Sequence, residues 1–242
     1  MKMSLHRLAR MFLGILPLRW QCRIASVRSR SSPKLSRSAF VHHSVQMLGK
    51  AFIRIGTNSV ISQDCWLNVN HRQGDRLAID IGSHCFIGRR NFFSSGRKIR
   101  FADYVLTAND CQFLGSTHIV DNPMRPIITT GTSDHDVIEV GVNAFIGAGV
   151  RVVGTVRIGH GCVVGAGSLV TRDLPAFSQA HGSPATVRKR YSISRGCWVP
   201  IGEFTAEDEA ALPNAQDYLT TLRTAGPIHM PYIASGSDMG NC

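Results

Sequence analysis

The sequence predicts an all-β solenoid, a fold in which short strands and tight corners repeat along one axis. Between residues 140 and 170 a branched aliphatic residue returns every six positions, at Val140, Ile146, Val152, Ile158, Val164 and Val170. A period of six is typical of neither a helix nor an isolated strand, because one helical face returns at three to four residues and one strand face at two. Repeats of this size bury their aliphatic faces only by stacking on neighbouring repeats. The repeat therefore indicates one extended domain.

The same rhythm begins near residue 40 and is interrupted three times. Polar residues at 70–77 break it and predict a loop that leaves the coil. A shift of two residues between Ile99 and Phe101 requires an extra turn or bulge, which we place at Gly96. From Gly115 to Ile138 the period is absent, and an irregular segment of this length is either functional or mobile.

Basic residues are concentrated at the N-terminus. The net charge is +11, yet residues 1–63 contain eleven Lys and Arg and no acid, whereas residues 64–242 contain sixteen residues of each sign. This asymmetry directs the N-terminal segment, rather than the whole chain, towards an anionic lipid surface or nucleic acid. A nucleic-acid interface is disfavoured, because aromatic residues are not interleaved with the basic ones.

The N-terminal segment has three interpretations. Its apolar stretch, Met11–Leu18, is too short to span a bilayer, so residues 1–37 are predicted to contact an anionic membrane peripherally. The alternatives are a helix that caps the open end of the solenoid and an Arg- and Ser-rich targeting leader. At the other end, residues 205–224 predict a helix with Thr205 as its N-cap and a break near Pro213.

The predicted organisation has three regions. Residues 1–38 form the basic amphipathic segment, residues 39–190 the solenoid with an irregular loop at 115–138, and residues 191–242 a partly helical extension. Seven cysteines without a CxxC pair favour packed, reduced thiols, as at Cys65, Cys85, Cys111 and Cys162. We therefore expect a cytoplasmic protein, either free or attached at the inner face of the membrane.

The repeat and its ending resemble a known family. Residues 164–175 read VGAGSLVTRDLP, and Gly182-Ser183-Pro184-Ala185 follows. This ending is similar to the GAGSVVTKD(I/V)PP…GNPA ending of the hexapeptide-repeat acyltransferases, in the branch of the maltose, galactoside and colanic acid O-acetyltransferases. The resemblance implies a left-handed parallel β-helix with three hexads per coil and assembly as a homotrimer. The short helical appendages predicted at both ends come from the residues themselves, and the one at the C-terminus has no counterpart in the usual ending of the family.

The resemblance also assigns the irregular loop to catalysis. Residues 101–118 align without a gap against the maltose and galactoside enzymes, and residues 118–127, HIVDNPMRPI, resemble their pattern of a His followed by Asp-Pro and a further Pro-(Leu/Ile). By that match His118 is the general base, which removes a proton from a sugar hydroxyl as it attacks a thioester. A base needs a group that fixes its tautomer, and either Asp121 or a main-chain carbonyl fits that role. His135, between two acids in the same loop, is interpreted as a solvated residue rather than the base.

The cofactor and acceptor residues follow from the same resemblance. It implies acetyl-CoA as cosubstrate, bound in a groove between subunits by residues at Ala148, Ala166, Thr171, Arg172 and Lys189, with Arg188 and Arg190 beside the last of these. Asn91 and Asp121 are the candidate acceptor ligands. No metal is expected, because the zinc site of the γ-class carbonic anhydrases needs a close histidine pair that nothing near His118 supplies.

The sequence thus predicts an acetyl-CoA-dependent O-acetyltransferase that acts on a sugar or on a polysaccharide, capsule or O-antigen precursor. The alternative is a non-catalytic β-helix scaffold that uses its faces for protein contacts. The loop containing His118 and the Gly-Ser-Pro-Ala ending favour the enzyme, because a scaffold has no physical reason to keep them.

Overall fold

The computed structural model describes residues 34–226. Within that range the chain forms short strands joined by tight corners, in the order β1 (Phe40–Val41), β2 (Gln46–Leu48), β3 (Ile53–Ile55), β4 (Val60–Ile61), β5 (Trp66–Val69), β6 (Ile79–Ile81), β7 (Phe86–Ile87), β8 (Phe92–Ser95), β9 (Lys98–Phe101), β10 (Leu106–Thr107), β11 (Gln112–Leu114), β12 (Val137–Val140), β13 (Phe145–Ile146), β14 (Arg151–Val153), β15 (Val156–Ile158), β16 (Val163–Val164) and β17 (Leu169–Val170). Short 3-10 helices cover Lys50–Phe52, Ile127–Thr129 and Ile201–Glu203.

The strands are distributed over three parallel sheets that the chain visits in rotation. The first sheet contains β3, β6, β9, β12 and β15; the second contains β1, β4, β7, β10, β13 and β16; the third contains β2, β5, β8, β11, β14 and β17. Each strand pairs in parallel with the equivalent strand one turn away, as β9 does with β12. A chain that climbs through three sheets in this way forms a parallel β-helix of triangular cross-section, as the six-residue period predicts.

The periodic aliphatic residues fill the interior of the coil. Val140, Ile146, Val152, Ile158, Val164 and Val170 are all at most 2% exposed. Three aromatic residues, Phe93, Phe101 and Phe113, form a cluster in the middle turns, with ring centroids 4.8–5.4 Å apart. The core is therefore continuous along the axis, and these rings fill its middle turns.

The predicted packing of the thiols is confirmed. Cys65, Cys85, Cys111 and Cys162 are free and buried, and each thiol donates to a backbone carbonyl, as Cys65 Sγ does to Gly88 O at 3.0 Å. Burial raises the pKa of Cys65 and Cys85 to about 12 and that of Cys111 and Cys162 to about 11. These thiols are neutral hydrogen-bond donors that tie one turn to the next.

The outward side chains differ between the sheets. On the first sheet the outward positions are charged and in register: Arg54, Asp80, Arg100, Glu139 and Arg157. On the second sheet they form an apolar row: Phe40, Val60, Phe86, Leu106, Phe145 and Val163. Leu106 and Phe145 of the apolar row are 41% and 37% exposed. The first sheet thus has a surface suited to water, and the second has one suited to another apolar surface.

The three predicted interruptions lie on one edge of the triangular coil, where the chain passes from the third sheet to the first. Residues 70–78 follow β5, residues 96–97 follow β8, and residues 115–136 follow β11. The turn predicted at Gly96 is confirmed. A Cβ there would overlap the carbonyl oxygen of Gly115 in the next turn, so only glycine permits this close stacking. We call this edge the loop edge.

The C-terminal region closes one end of the coil. Parallel pairing ends with β18 (Ser178–Gly182), which pairs antiparallel with β19 (Ala185–Ser192), and β19 pairs with β20 (Cys197–Pro200). The expected end of the solenoid at residue 190 thus falls inside a hairpin. The predicted helix is confirmed and is split, as expected, into α1 (Ala206–Ala210) and α2 (Ala215–Thr224).

The predicted N-cap of α1 is also confirmed and forms part of a buried network. The Thr205 hydroxyl accepts from Asp208 N, and the Asp208 carboxylate accepts from Thr205 N. Ser192 of β19 donates to Asp208 at 2.5 Å and Arg195 pairs with it at 2.6 Å. The hydrogen bond from Ser192, followed by that from Thr205 N, holds the pKa of Asp208 well below its usual range. Asp208 therefore joins the hairpin to the first C-terminal helix.

Candidate active site

The long loop at the loop edge folds into a narrow two-stranded arm. Ile119 N donates to Gly131 O at 3.2 Å, and Ser133 N donates to Thr117 O at 2.8 Å, so residues 117–119 pair with the returning residues 131–133. At the base of the arm Ser116 Oγ donates to Ser133 O at 2.8 Å. The arm fixes the backbone on either side of His118, which forms a bridge with Thr132.

His118 presents its ring to solvent. The residue is exposed, and neither ring nitrogen has a hydrogen-bond partner within residues 34–226. The expected partner Asp121 is instead paired with Arg125, at 2.8 Å. An accessible imidazole whose nitrogens are both uncommitted can exchange a proton with a bound molecule. Its orienting group is not found among the residues of its own arm that the structure describes.

The tip of the arm is strongly apolar. Val120 is 66% exposed, Met124 90% and Ile128 80%. Apolar side chains exposed to this degree within nine residues of one loop favour contact with another surface. We refer to these three residues as the arm tip.

His135 differs from His118 although it lies in the same loop. Its side chain is 76% exposed, and its Nε2 lies 3.7 Å from Asp136 Oδ1. Asp136 is in turn held by Thr155 Oγ1 at 2.8 Å. His135 therefore has an acidic neighbour at the end of the loop, outside the paired arm.

Ala148 and Ala166 stack on each other at a second edge, between the second and third sheets. Both are exposed, and Gly167 N donates to Ala148 O at 2.8 Å. A Cβ on Gly147 would lie 2.6 Å from Ala166 N, so the two turns approach closely there. The structure brings this pair together, and we call the edge the alanine edge. It presents a smooth strip of small residues to solvent.

The other cofactor candidates lie elsewhere on the surface. Thr171 and Arg172 are exposed and follow β17 at the loop edge. Lys189 is exposed on β19, where it faces Gln179 and Pro200. Arg190 corrects the expectation of a basic group of three, because it is only 6% exposed and pairs with Glu209 at 2.5 Å. Its cation is committed to the C-terminal helix rather than to an external phosphate.

Asn91 does not fit the predicted contact to an acceptor. It is 0% exposed, its Nδ2 donates to Thr107 Oγ1 at 2.6 Å, and its Oδ1 accepts from Cys111 N at 2.6 Å. The side chain fills a corner of the coil, so its polar groups are used within the fold. The structure thus corrects this residue from ligand to corner support.

One neighbour of the arm was not identified from the sequence. His71, in the loop at 70–78, places its Nε2 3.0 Å from Ser133 O and 3.3 Å from Thr132 Oγ1. In the sequence, the polar break in the repeat at residues 70–77 is the only sign of this contact, because Ser133 lies about sixty residues after His71. Among the described residues, no group of three or more His, Cys, Asp or Glu side chains is arranged to hold a metal ion.

Comparison with known proteins identifies relatives that share a name for their activity. No family model matches the chain. It is 28% identical over 189 residues to a probable acetyltransferase of Mycobacterium tuberculosis, covering 76% of this chain and 61% of the relative. It is 31% identical over 141 residues to the galactoside O-acetyltransferase of Lactococcus lactis, covering 49% and 66%. The chain thus spans about two thirds or less of the length of these curated relatives.

Solved structures agree on the fold. A mutant of AntD, an N-acyltransferase from Bacillus cereus in complex with dTDP-4-amino-4,6-dideoxyglucose and Coenzyme A, has a TM-score of 0.58 at 19% identity, covering 70% of this chain and 89% of that one. The hexapeptide-repeat acetyltransferase VCA0836 from Vibrio cholerae has a TM-score of 0.51 at 22% identity, covering 78% and 93%. The chain is thus similar in sequence to proteins named as acetyltransferases and shares the fold of a hexapeptide-repeat acetyltransferase, which confirms the predicted resemblance.

Proposed function

We propose that the chain is an acetyl-CoA-dependent O-acetyltransferase that acts on a sugar or on a polysaccharide, capsule or O-antigen precursor. The observation that carries the proposal is the exposed and uncommitted ring of His118 on a hydrogen-bonded arm. The named activities of the relatives, acetyl and acyl transfer, support the same reaction class.

His118 acts as the general base in this proposal. Its imidazole removes the proton from an acceptor hydroxyl as that oxygen forms a bond to the acyl carbonyl carbon. The bond from that carbon to sulfur breaks, and the imidazolium returns the proton to the leaving thiolate, so protons balance over the cycle. Acetyl-CoA supplies the activated thioester. The paired arm reduces the motion of His118 and so favours an aligned attack.

The alanine edge fits an extended pantetheine chain. Ala148 and Ala166 are small and exposed, so a ligand can approach their backbones closely, and the Cβ overlap at Gly147 shows how little space separates the turns. Exposed Arg172 and Lys189 provide cations for phosphate groups. We propose Thr171 as a contact of the same ligand and Asp121, which is exposed on the arm three residues after His118, as an acceptor ligand.

Assembly as a homotrimer is part of the proposal. His118 lies on the loop edge and the alanine pair on another edge of the same coil, so a groove between two subunits would bring the two elements together. The exposed arm tip and the apolar row on the second sheet provide surfaces that subunit contact would cover. We also infer left-handed winding of the coil, on the basis of the resemblance.

The reaction is tested with a matched pair of histidine variants. His118→Ala is expected to lower the turnover number by about 10²–10⁴-fold, while the affinity for acetyl-CoA stays within a few-fold. His135→Ala removes an exposed histidine from the same loop and is expected to retain wild-type turnover. Transfer is measured with radiolabelled acetyl-CoA on a panel of sugars that carry either hydroxyl or amino acceptors, which separates O- from N-acetylation.

Two results would contradict this assignment. If His118→Ala keeps more than about a tenth of wild-type turnover, His118 is not the base. If the wild-type chain binds no acetyl-CoA and acetylates no acceptor, the result favours a non-catalytic scaffold over an enzyme.

The assembly is tested at the apolar row. Leu106→Glu places a charge on a 41% exposed member of that row and is expected to reduce both trimer content and activity in parallel. Gln216→Glu adds the same charge on the exposed face of α2 and is expected to leave both unchanged. A fully active monomer in analytical ultracentrifugation would rule out a shared groove.

The predicted membrane contact concerns residues 1–37, of which residues 1–33 lie outside the described part of the chain. Residues 1–37 contain nine Lys and Arg, and no helix within residues 34–226 is long and apolar enough to cross a bilayer. We propose reversible attachment to the inner face of an anionic membrane in a cytoplasmic protein, with each basic residue contributing about 1 kcal/mol near the surface. Sedimentation with phosphatidylserine vesicles should decline as salt is raised and should require residues 1–37. Equal sedimentation of a chain that begins at Ser38 would contradict the proposal.

A further inference from the structure

Two irregular loops of the loop edge, residues 70–78 and residues 115–136, are in contact through the ring of His71. His71 belongs to residues 70–78, and Ser133 belongs to the returning strand of the arm. The His71 Nε2 lies 3.0 Å from Ser133 O, a contact between residues 62 positions apart. Because a carbonyl oxygen can only accept, Nε2 must carry a hydrogen and donate it. The bond therefore exists in both the neutral and the protonated form of the ring.

The residues on either side of His71 are hydrogen-bonded to the coil. On one side Asn70 Nδ2 donates to Ser94 Oγ at 2.9 Å, in the turn that lies between the two loops. On the other side Arg72 Nε donates to Val69 O at 2.9 Å, which closes the start of its own loop. These bonds tie the chain on both sides of His71 to the coil, so the ring reaches the arm from a fixed stretch of backbone.

Ser133, whose carbonyl oxygen His71 binds, is also hydrogen-bonded to Thr117, the residue before His118. Ser133 N donates to Thr117 O at 2.8 Å, and Ser133 Oγ accepts from Thr117 N at 3.1 Å. Thr132, whose Oγ1 lies 3.3 Å from the His71 ring, forms the bridge partner of His118. A displacement of the returning strand would thus be transmitted to the residue that carries the exposed imidazole.

We propose that His71 is a positioning residue for His118. It fixes the returning strand of the arm against the coil, and the arm in turn fixes the imidazole that faces the acceptor. The inference rests on the proposed function for its catalytic consequence. The contact itself rests on the geometry alone.

The test compares three variants of the loop at 70–78. His71→Ala removes the donor, and His71→Gln replaces it with an amide N–H of similar reach. Gln73→Ala removes an exposed side chain of the same loop that makes no hydrogen bond to the described residues. For each we measure kcat, the KM for acetyl-CoA and the KM for the acceptor, together with amide hydrogen exchange at residues 117–119 and 131–133.

We expect His71→Ala to lower kcat by about tenfold or more, since small misplacement of a catalytic group is costly. The KM for acetyl-CoA should stay within about twofold, because the His71 ring contacts Ser133 and Thr132 and none of the residues proposed to bind the cofactor. Exchange should accelerate in the arm while the coil is unchanged. His71→Gln should restore kcat to within about threefold of wild type. Gln73→Ala should match wild type in every measurement.

Several results would overturn the inference. Equal kcat in His71→Ala and Gln73→Ala would show that His71 positions nothing. Faster exchange throughout the coil without rescue by His71→Gln would show a general loss of stability instead. A wild-type chain that acetylates no acceptor would overturn the proposed function, whereas unchanged arm exchange in His71→Ala would overturn the contact, so the two failures are distinguishable.

Discussion

Truncation of Phe113 tests whether the aromatic cluster holds the middle of the coil together. Phe113 is 0% exposed, and its ring centroid lies 4.9 Å from that of Phe93 and 4.8 Å from that of Phe101. Removing a buried phenyl ring to alanine costs about 3–5 kcal/mol of unfolding free energy through lost burial and a residual cavity. Phe113→Leu keeps most of the apolar volume, so we expect it to cost about 1.5 kcal/mol or less.

The assay is urea unfolding of the full chain, monitored by circular dichroism. Val153→Ala is the control, because Val153 lies on the paired strand β14 and is 38% exposed; its effect should be below about 1 kcal/mol. Phe113 is followed by Gly115 at the base of the arm, so Phe113→Ala should also accelerate hydrogen exchange there. A cost below about 1 kcal/mol for Phe113→Ala would refute the reasoning, because it would mean that the rings do not share a closed core.

Three further predictions concern pH and close packing. Burial, and then the neighbouring His43, lower the pKa of His42 to about 4 from 6.5. Between these two pH values the unfolded chain binds more protons than the folded chain, so the free energy of unfolding should fall as the pH drops from about 6.5 to 4. His42→Gln should flatten this pH dependence in urea titrations. Because the pKa of Asp208 is lowered in the folded chain, its carboxylate stabilises the fold above about pH 3.8, and this stabilisation is lost as the pH falls below that value. Asp208→Asn should loosen the hairpin, which would be seen as faster amide hydrogen exchange at residues 185–200. Unchanged exchange would contradict the network. Gly96→Ala should lower the free energy of unfolding by about 1–3 kcal/mol, because its Cβ meets the Gly115 backbone. Gly202 has open space around it, so Gly202→Ala should leave stability unchanged. Equal melting temperatures for the two variants would disprove the close approach.

The fold was predictable because one physical requirement recurs in every turn. An inward position must be apolar wherever three short strands enclose a narrow core, so a period of six in Val and Ile reports the turns directly. The breaks at residues 70–77, at Gly96 and after Gly115 are each about one turn apart, which is also why they share an edge. The Thr205 cap was readable because its partners lie within three residues.

The candidate site was less predictable, because its residues meet through loops. Asn91 stands four positions after Ile87, the spacing that places Cys65 and Cys111 at buried corners after Ile61 and Thr107. The repeat thus held the signal that Asn91 is a corner residue, and similarity to acceptor ligands in related enzymes pointed the other way. The contact of His71 with Ser133 depends on the paths of two irregular segments, and no periodic pattern encodes those paths. The pairing of Asp121 with Arg125 is equally local to the conformation of the arm.

The buried thiols can serve as probes of the order in which the turns of the coil open. Cys65, Cys85, Cys111 and Cys162 lie in four different turns, and with pKa values of about 11 to 12 they carry almost no thiolate near neutrality. Cys197 is the exposed one among the free cysteines of residues 34–226. Since the thiolate is the reactive form, an alkylating reagent reaches a core cysteine only after its turn has separated from its neighbours. The order in which peptides containing these four residues become labelled would therefore show from which end the coil unravels.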